Sequence, residues 1–252
     1  MHAFQDNPGM LPRFYCHPGF YSLAAGCAIP LPKDAAHHAL KVLHLRCGDA
    51  LTLFDGTGGE YPAHVIEAGR TLRVLTGERL ERECEPPLPV VLVQALPGSD
   101  KMDWVVQKAV ELGVTTIQPV QSRRSVVRLS GERAEKRVTH WRQVAISACE
   151  QSGRNRLPEI REILDLAHYL AEPSADNKMI LSPRGGTKLA ALPRPAHGAT
   201  ILIGPEGGFE EEEERMACMT GFRPVALGPR VLRTETAGLA ALAAIMTLWG
   251  DF

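Results

Sequence analysis

Leu227-Gly228-Pro229-Arg230-Val231-Leu232-Arg233-Thr234-Glu235-Thr236-Ala237 reads as a tight loop feeding a helix. Gly228-Pro229 ends a strand, because proline has no ladder N–H and glycine takes dihedrals closed to other residues. Thr234 is expected to be the N-cap, with Glu235 placing a carboxylate at the positive end of the helix. Arg230 and Arg233 lie inside the loop, where a purely structural turn needs neither. The same grammar occurs upstream: Ile201-Leu202-Ile203, then Gly204-Pro205-Glu206-Gly207-Gly208, then an acidic helix start. By itself the upstream loop reads equally well as a plain turn. No Gly-Lys-Ser/Thr follows it and the GxGxxG spacing is missing, so it is neither a phosphate loop nor a dinucleotide fingerprint. Two such units in tandem predict one pocket lined by backbone donors and acceptors, suited to an adenine edge and a ribose.

Working outward, the chain from Val90 alternates strand and helix, the pattern of an α/β fold with a mainly parallel sheet. Strands are expected at Val90–Ala95, Thr115–Val120, Lys178–Leu181, Ala199–Ile203 and Phe222–Leu227. Helices are expected at Asp100–Leu112, Gly131–Gln151, from about Glu210, and up to Trp249. The last helix carries an apolar stripe (Leu239, Leu242, Met246, Trp249) and many alanines, which suits packing on two sides, one of them a second subunit. The segment from Arg13 to Leu80 instead favours short strands, with a hairpin across Asp55–Gly59 and one helix over 35–43, the pattern of a small barrel. Between them Glu81–Pro89 is charged and proline-rich, a linker. The expected division is a flexible extension over 1–12, a barrel over 13–80, a linker over 81–89 and an α/β domain over 90–252.

A chain of 252 residues with net charge −1 is a globular protein whose polyanion contacts, if any, are local. The six scattered cysteines form no CxxC pair, which points to reduced thiols in a cytoplasmic protein. His37 and His38 point to different helix faces with no carboxylate pattern beside them, so no metal is expected. No apolar window is long enough for a membrane span. A basic region, Ser122-Arg123-Arg124-Ser125-Val126-Val127-Arg128, continues into the long helix and reads as a solvated face or as a track for phosphate oxygens. Glu210–Glu214 reads as a favourable first turn for its helix dipole. Glu150, Gln151, Arg154 and Asn155 crowd more polar groups into one turn than a helix end needs.

The set Lys101-Met102-Asp103-Trp104, Gln107-Lys108, Glu111-Leu112-Gly113, Ser122–Ser125, Glu150–Arg154, Gly204–Gly208 and Leu227–Thr236 resembles, in order and spacing, the RsmE-type family of bacterial small-subunit (16S) ribosomal RNA uracil-N3 methyltransferases, of the SPOUT class. The likeness runs from about Arg13 to Asp251. Two departures are residues before Met10 that the family pattern does not need, and Gly98-Ser99-Asp100 where the family often has Gly-Asp. The resemblance implies an N-terminal PUA-like RNA-binding barrel, a C-terminal α/β domain with a trefoil knot, a homodimer, and S-adenosyl-L-methionine as cofactor. It implies that Leu181, Ile203, Gly204, Pro205, Glu206, Gly207, Gly208, Leu227, Gly228, Arg230, Leu232 and Thr236 hold the cofactor. Arg233 then stabilises negative charge on the uracil, Arg154 or Arg230 meets a phosphate or the cofactor carboxylate, and Glu235 is the candidate base, with water as the alternative. Arg123, Arg124 and Arg128, extended by Arg13 and Lys41, would guide 16S ribosomal RNA within the 30S subunit. The rival readings are a non-catalytic RNA-binding assembly factor and a knotted methyltransferase acting at another RNA position.

Overall fold

A computed structural model describes residues 11–98, 101–172 and 177–252. The first ten residues of the expected extension, and Ser99-Asp100 at the expected helix start, lie outside the described residues. The chain divides into two compact units. The first runs to Cys84 and takes in Cys149–Leu157; the second is Glu85–Ala148 with Pro158–Phe252. A single cut at the linker does not anticipate this. Residues 149–157, expected in the α/β domain, belong to the first unit.

The first unit holds β1 (Arg13–Tyr15), β2 (Ala28–Pro30), α1 (Lys33–Lys41), β3 (Ala50–Phe54), β4 (Tyr61–Ala68) and β5 (Leu72–Thr76). They form one mixed sheet in the order β1-β3-β4-β5-β2. The expected hairpin is present, with β3 antiparallel to β4 and the Asp55–Gly59 turn carried by positive-φ glycines at 56, 58 and 59. The parallel pairing of β1 with β3, Arg13 opposite Thr52, is one that local alternation cannot reveal. Along β5, Leu72, Val74 and Thr76 point inward on every second residue. Leu72 and Val74 pack with Phe14, Cys16, Leu51, Leu53 and Val65, and α1 closes this core through the fully buried Ala39.

A polar knot lies beside that core. Arg13, expected on the RNA track, is instead 7% exposed. Its Nη1 donates to Glu60 Oε2 at 2.6 Å, its Nη2 donates to Asn155 Oδ1, and its guanidinium lies over the Phe54 ring. No phosphate can reach it, so the RNA role for Arg13 is withdrawn. Asn155, fully buried, also donates to the Arg82 carbonyl at 2.7 Å. Arg154 is buried as well, at 3% exposure, and this excludes the substrate contact expected of it. Burial raises the Glu60 carboxyl, but the hydrogen bonds from Arg13 and Asn155 outweigh it and hold the group below its usual range. Glu150 has the opposite balance: burial lifts it more than the Tyr15 N–H (2.9 Å) and the Arg13 charge lower it. Burial, with Glu150 and Asp55 nearby, pushes the Cys16 thiol up to about 12.

The second unit contains β6 (Val90–Ala95), α2 (Lys101–Glu111), β7 (Thr116–Gln121), α3 (Gly131–Ser152, its last turn counted with the first unit), β8 (Glu159–Ile160), β9 (Leu164–Asp165), α4 (Leu166–Ala171) and β10 (Asn177–Leu181). After these come β11 (Thr187–Lys188), a 3₁₀ turn at Leu189–Ala191, β12 (Ala199–Ile203), α5 (Glu211–Met219), β13 (Arg223–Ala226) and α6 (Thr234–Trp249). The sheet order is β11-β13-β10-β12-β6-β7-β8, with β9 also on β7, and all its pairings are parallel. Central strands covered on both faces read as continuous apolar runs, and all five residues of β12 are buried. Val93, Val120, Ile180, Leu202, Phe209 and Phe222 lie in one core with α4.

This topology decides where a ligand sits. Strands β13, β10 and β12 are adjacent and parallel, so their carboxyl ends share one edge of the sheet, where open α/β sheets take their ligands. Each of the three runs into a glycine-bearing loop: 182–186, 204–210 and 227–233. The α6 cap differs from expectation. Arg233 is the N-cap, its carbonyl accepting from the N–H groups of Thr236 (2.9 Å) and Ala237 (2.8 Å), and Thr234 is the first helical residue.

Candidate active site

The three loops enclose a cleft of about 1000 Å³. Leu181, Ile203, all of Gly204–Gly208, Leu227, Gly228, Arg230, Leu232 and Arg233 line it. Gly208 (φ +67°) and Gly228 (φ +144°) hold left-handed backbone that only glycine adopts without strain. A Cβ at either would meet nothing within 4 Å, so the main chain there is open. Thr236 is exposed and not among the lining residues; the threonine on the cleft is Thr234, 6% exposed. Two helical positions differ by roughly 200° around the axis, so both cannot face the same way. Thr234 Oγ1 donates to the Gly204 carbonyl at 2.5 Å and accepts from Gln94 Nε2 at 2.9 Å. One buried hydroxyl therefore joins the start of α6, strand β6 and the upstream glycine loop.

Charges around the cleft are sorted. Lys101 Nζ sits 3.0 Å from Glu206 Oε1, which also accepts from the Gly98 N–H at 3.0 Å. Burial raises Glu206 less than these contacts lower it, and its carboxyl lies below the usual value. Glu235 Oε2 is 3.4 Å from the same ammonium, its side chain is 16% exposed, and it does not line the cleft. Glu235, off the cleft lining and paired with the ammonium of Lys101, is not placed to act as the base of the site, so the catalytic expectation for Glu235 is corrected.

The acidic run does more than start a helix. Glu210 and Glu213 form a reciprocal capping box. Glu210 Oε2 also pairs with Arg123 Nη1 at 2.9 Å, and Glu213 Oε1 accepts from the Arg123 N–H at 2.7 Å. Arg184, from the third loop, pairs with Glu214 at 2.7 Å. Arg124 lines the cleft and donates to the Gly207 carbonyl at 3.1 Å. Arg128 is exposed and donates to the Arg123 carbonyl at 3.0 Å. Lys41 stands exposed in the last turn of α1, in the first unit. Among the described residues neither Arg230 nor Arg233 is in an ion pair, so the cleft keeps two cations for an incoming anion.

Sequence reasoning missed Lys101, Arg184 and Thr234 as lining residues. A signal existed for one of them: Ser182-Pro183-Arg184-Gly185-Gly186 is a third strand-end loop with a glycine pair. Lys101 and Thr234 become visible only once α2 and α6 are set beside the loops. Among the described residues no group of three or more His, Cys, Asp or Glu side chains is placed to hold a metal ion, and no helix is long and apolar enough to cross a membrane.

Residues 84–246 match the model of an RNA methyltransferase domain, and residues 31–75 that of an RNA methyltransferase PUA domain. The chain is 32% identical over 224 residues to the ribosomal RNA small subunit methyltransferase E of Buchnera aphidicola, covering 88% of each. It is 32% identical over 226 residues to that of Bacillus subtilis, covering 84% of this chain and 87% of the other. Among solved structures, the Neisseria gonorrhoeae ribosomal RNA small subunit methyltransferase E bound to S-adenosyl methionine is 41% identical, with a TM-score of 0.89 over 96% of this chain and 99% of that one. A Legionella pneumophila structure, also with the bound cofactor, is 36% identical, with a TM-score of 0.90 over the same shares. With this likeness running through both units, the chain belongs to the ribosomal RNA small subunit methyltransferase E family.

Proposed function

We propose that this protein methylates N3 of a uridine in 16S ribosomal RNA, using S-adenosyl-L-methionine. The observation that carries the reading is the cleft at the ends of β10, β12 and β13, with open glycine backbone on two sides and Arg233 at the N-cap of α6. The donor set fits the cofactor: main-chain groups at Ile203, Gly204, Gly208, Leu227, Gly228 and Leu232 suit an adenine edge and a ribose, and Arg230 suits the carboxylate of the methionine part. When bound, the cofactor supplies an electrophilic methyl group on a sulfonium.

The protein's own work is alignment and charge stabilisation. Holding the reacting groups in place is worth up to about 7–11 kcal/mol of the barrier. The N3–H of uracil must lose its proton, and the charge left behind spreads onto the ring oxygens. Arg233, on the cleft lining and outside any ion pair among the described residues, brings a guanidinium to meet that charge. With Glu235 engaged by Lys101, the N3 proton passes to water. Arg124 at the cleft and Arg123 and Arg128 beside it favour the RNA backbone. The alanine-rich face of α6, with Leu248 43% exposed, supports a homodimer. We read residues 13–80, joined in the first unit by 149–157, as the RNA-binding PUA-like barrel, 81–89 as the linker and the rest of 90–252 as the methyltransferase domain.

Mass mapping of methylated uridines in 16S ribosomal RNA, from cells with and without the protein, tests the function. One N3-methyluridine should vanish on deletion and return with the wild-type gene but not with Arg233→Ala. An unchanged map would overturn the assignment.

A further inference from the structure

In the first unit, the turn Cys16-His17-Pro18-Gly19-Phe20-Tyr21 lifts one aromatic ring clear of the protein: Phe20 is 83% exposed. Proline followed by glycine at the centre of a four-residue turn is a strong local signal. The backbone closes the turn twice, the N–H groups of Phe20 (2.9 Å) and Tyr21 (3.0 Å) both donating to the His17 carbonyl. The Gly19 N–H donates to His17 Nδ1 at 3.0 Å. A Cβ on Gly19 would lie 3.1 Å from that imidazole, so glycine lets the ring fold back onto the turn. With Nδ1 accepting, the neutral imidazole carries its proton on Nε2.

Phe20 is also the tip of a chain of rings in tilted and edge-to-face contact. Phe54 is fully buried under the Arg13 guanidinium; Tyr15 lies 5.7 Å from Phe54, His17 6.2 Å from Tyr15, and Phe20 5.2 Å from His17, centroid to centroid. Each step is within the range at which aromatic rings interact. The buried end of the chain of rings lies under Arg13, which the Glu60 carboxylate holds, so its exposed end stands on a packed base. The following residues Tyr21 and Leu23 turn in against the core and leave Phe20 alone. A protein-docking patch needs a few hundred Å² of contiguous apolar surface. A single ring among His17, Pro18 and Gly19 does not provide that, but it does suit a flat ligand with a polar edge.

We propose that Phe20 and His17 form a stacking platform for one unpaired nucleobase of the RNA, with Phe20 against the face of the base and His17 Nε2–H donating to its edge. Aromatic side chains commonly hold unstacked bases of single-stranded RNA in this way. The inference rests on the RNA methyltransferase reading and adds a contact to it.

The test uses the full-length protein and a fluorescein-labelled single-stranded oligouridylate, read by anisotropy, alongside calorimetry with S-adenosylmethionine and thermal melting. Phe20→Ala should weaken RNA binding about ten-fold. Phe20→Trp should restore it, and Phe20→Leu should not. Cofactor affinity and melting temperature should stay at wild type, because the ring makes no core contact. The slope of affinity against salt should also hold, because no phosphate contact is lost. Wild-type RNA affinity in Phe20→Ala, full rescue by leucine, or a change of oligomeric state in place of RNA affinity would each overturn the platform. If the wild type methylates 16S ribosomal RNA and Phe20→Ala binds RNA as well as it does, only the platform fails. A wild type that neither methylates nor binds RNA removes the functional reading beneath it.

Discussion

The hydroxyl of Thr234 donates to the carbonyl oxygen of Gly204 across 2.5 Å, linking the first residue of α6 to the loop after β12. Thr234 Oγ1 in turn accepts from Gln94 Nε2, so the hydroxyl proton is committed to Gly204. The bond fixes the direction of the Gly204 carbonyl and, one residue earlier in the chain, the position of Arg233.

Thr234→Val keeps the shape and removes the hydroxyl, leaving the Gly204 carbonyl and the Gln94 amide short of a partner. Unmet buried groups of this kind cost about 1–3 kcal/mol each. S-adenosylmethionine affinity should therefore fall at least ten-fold by calorimetry, and Thr234→Ser should recover most of it. Equal affinity for valine and wild type would mean that the bond does not shape the loop.

Arg233 is a different case, because it faces the cleft as an N-cap without a side-chain cap bond or an ion pair among the described residues. Its removal should spare cofactor binding and strike turnover. Arg233→Ala is expected to lower kcat by about 10²–10³, the usual cost of losing one charge-stabilising donor. Arg233→Lys should stay impaired, since an ammonium cannot reproduce the planar fork. Single-turnover methylation with saturating cofactor separates the two effects; a loss confined to cofactor affinity would move Arg233 from the base to the cofactor.

Much of the second unit was legible because its signals are local. Buried parallel strands are apolar runs, and glycine at 208 and 228 marks backbone that other residues resist. The strand limits fell within about two residues for the same reason. What local pattern could not give was partnership. Thr234 and Thr236 are equally good polar residues at a helix start, and only the packing of α6 decides which faces Gly204. Arg13 and Arg123 look alike in sequence as basic residues at strand ends. One is enclosed by Glu60 and Asn155, 47 and 142 residues away, and the other is exposed beside Glu210. Burial of charge depends on contacts across such distances, which no window of sequence contains.

Arg124 holds the Gly207 carbonyl while lining the cleft, whereas Arg123 is engaged by Glu210. Arg124→Ala should then weaken RNA binding and cofactor binding together, and lower the magnitude of the salt slope of RNA affinity by about one. Arg123→Ala should change both less, because its cation is already partly neutralised. RNA titrations at several salt concentrations check this, and a larger slope change for Arg123 would show that RNA displaces Glu210.

The last prediction concerns acid and two carboxylates of the first unit. Glu60 has a depressed folded value, so its contribution to stability is present above the unfolded carboxylate value and is lost as pH falls through the folded one. Glu150 is raised, so its charged form weighs against folding near neutrality, and that cost is relieved as pH falls through its folded value. Glu60→Gln strips Arg13 of its buried partner and should cost about 3 kcal/mol at pH 7. The loss should shrink in acid, where wild-type Glu60 is protonated too. Glu150→Gln retains an acceptor for the Tyr15 N–H, 2.9 Å away in the wild type, and removes the charge. It should be neutral or stabilising at pH 7, and any gain should fade on acidification. Urea unfolding of both variants at pH 7 and along an acid series carried below the ordinary carboxylate value measures each sign. A destabilised Glu150→Gln at pH 7 would mean that the carboxylate earns its place through the Arg13 charge after all.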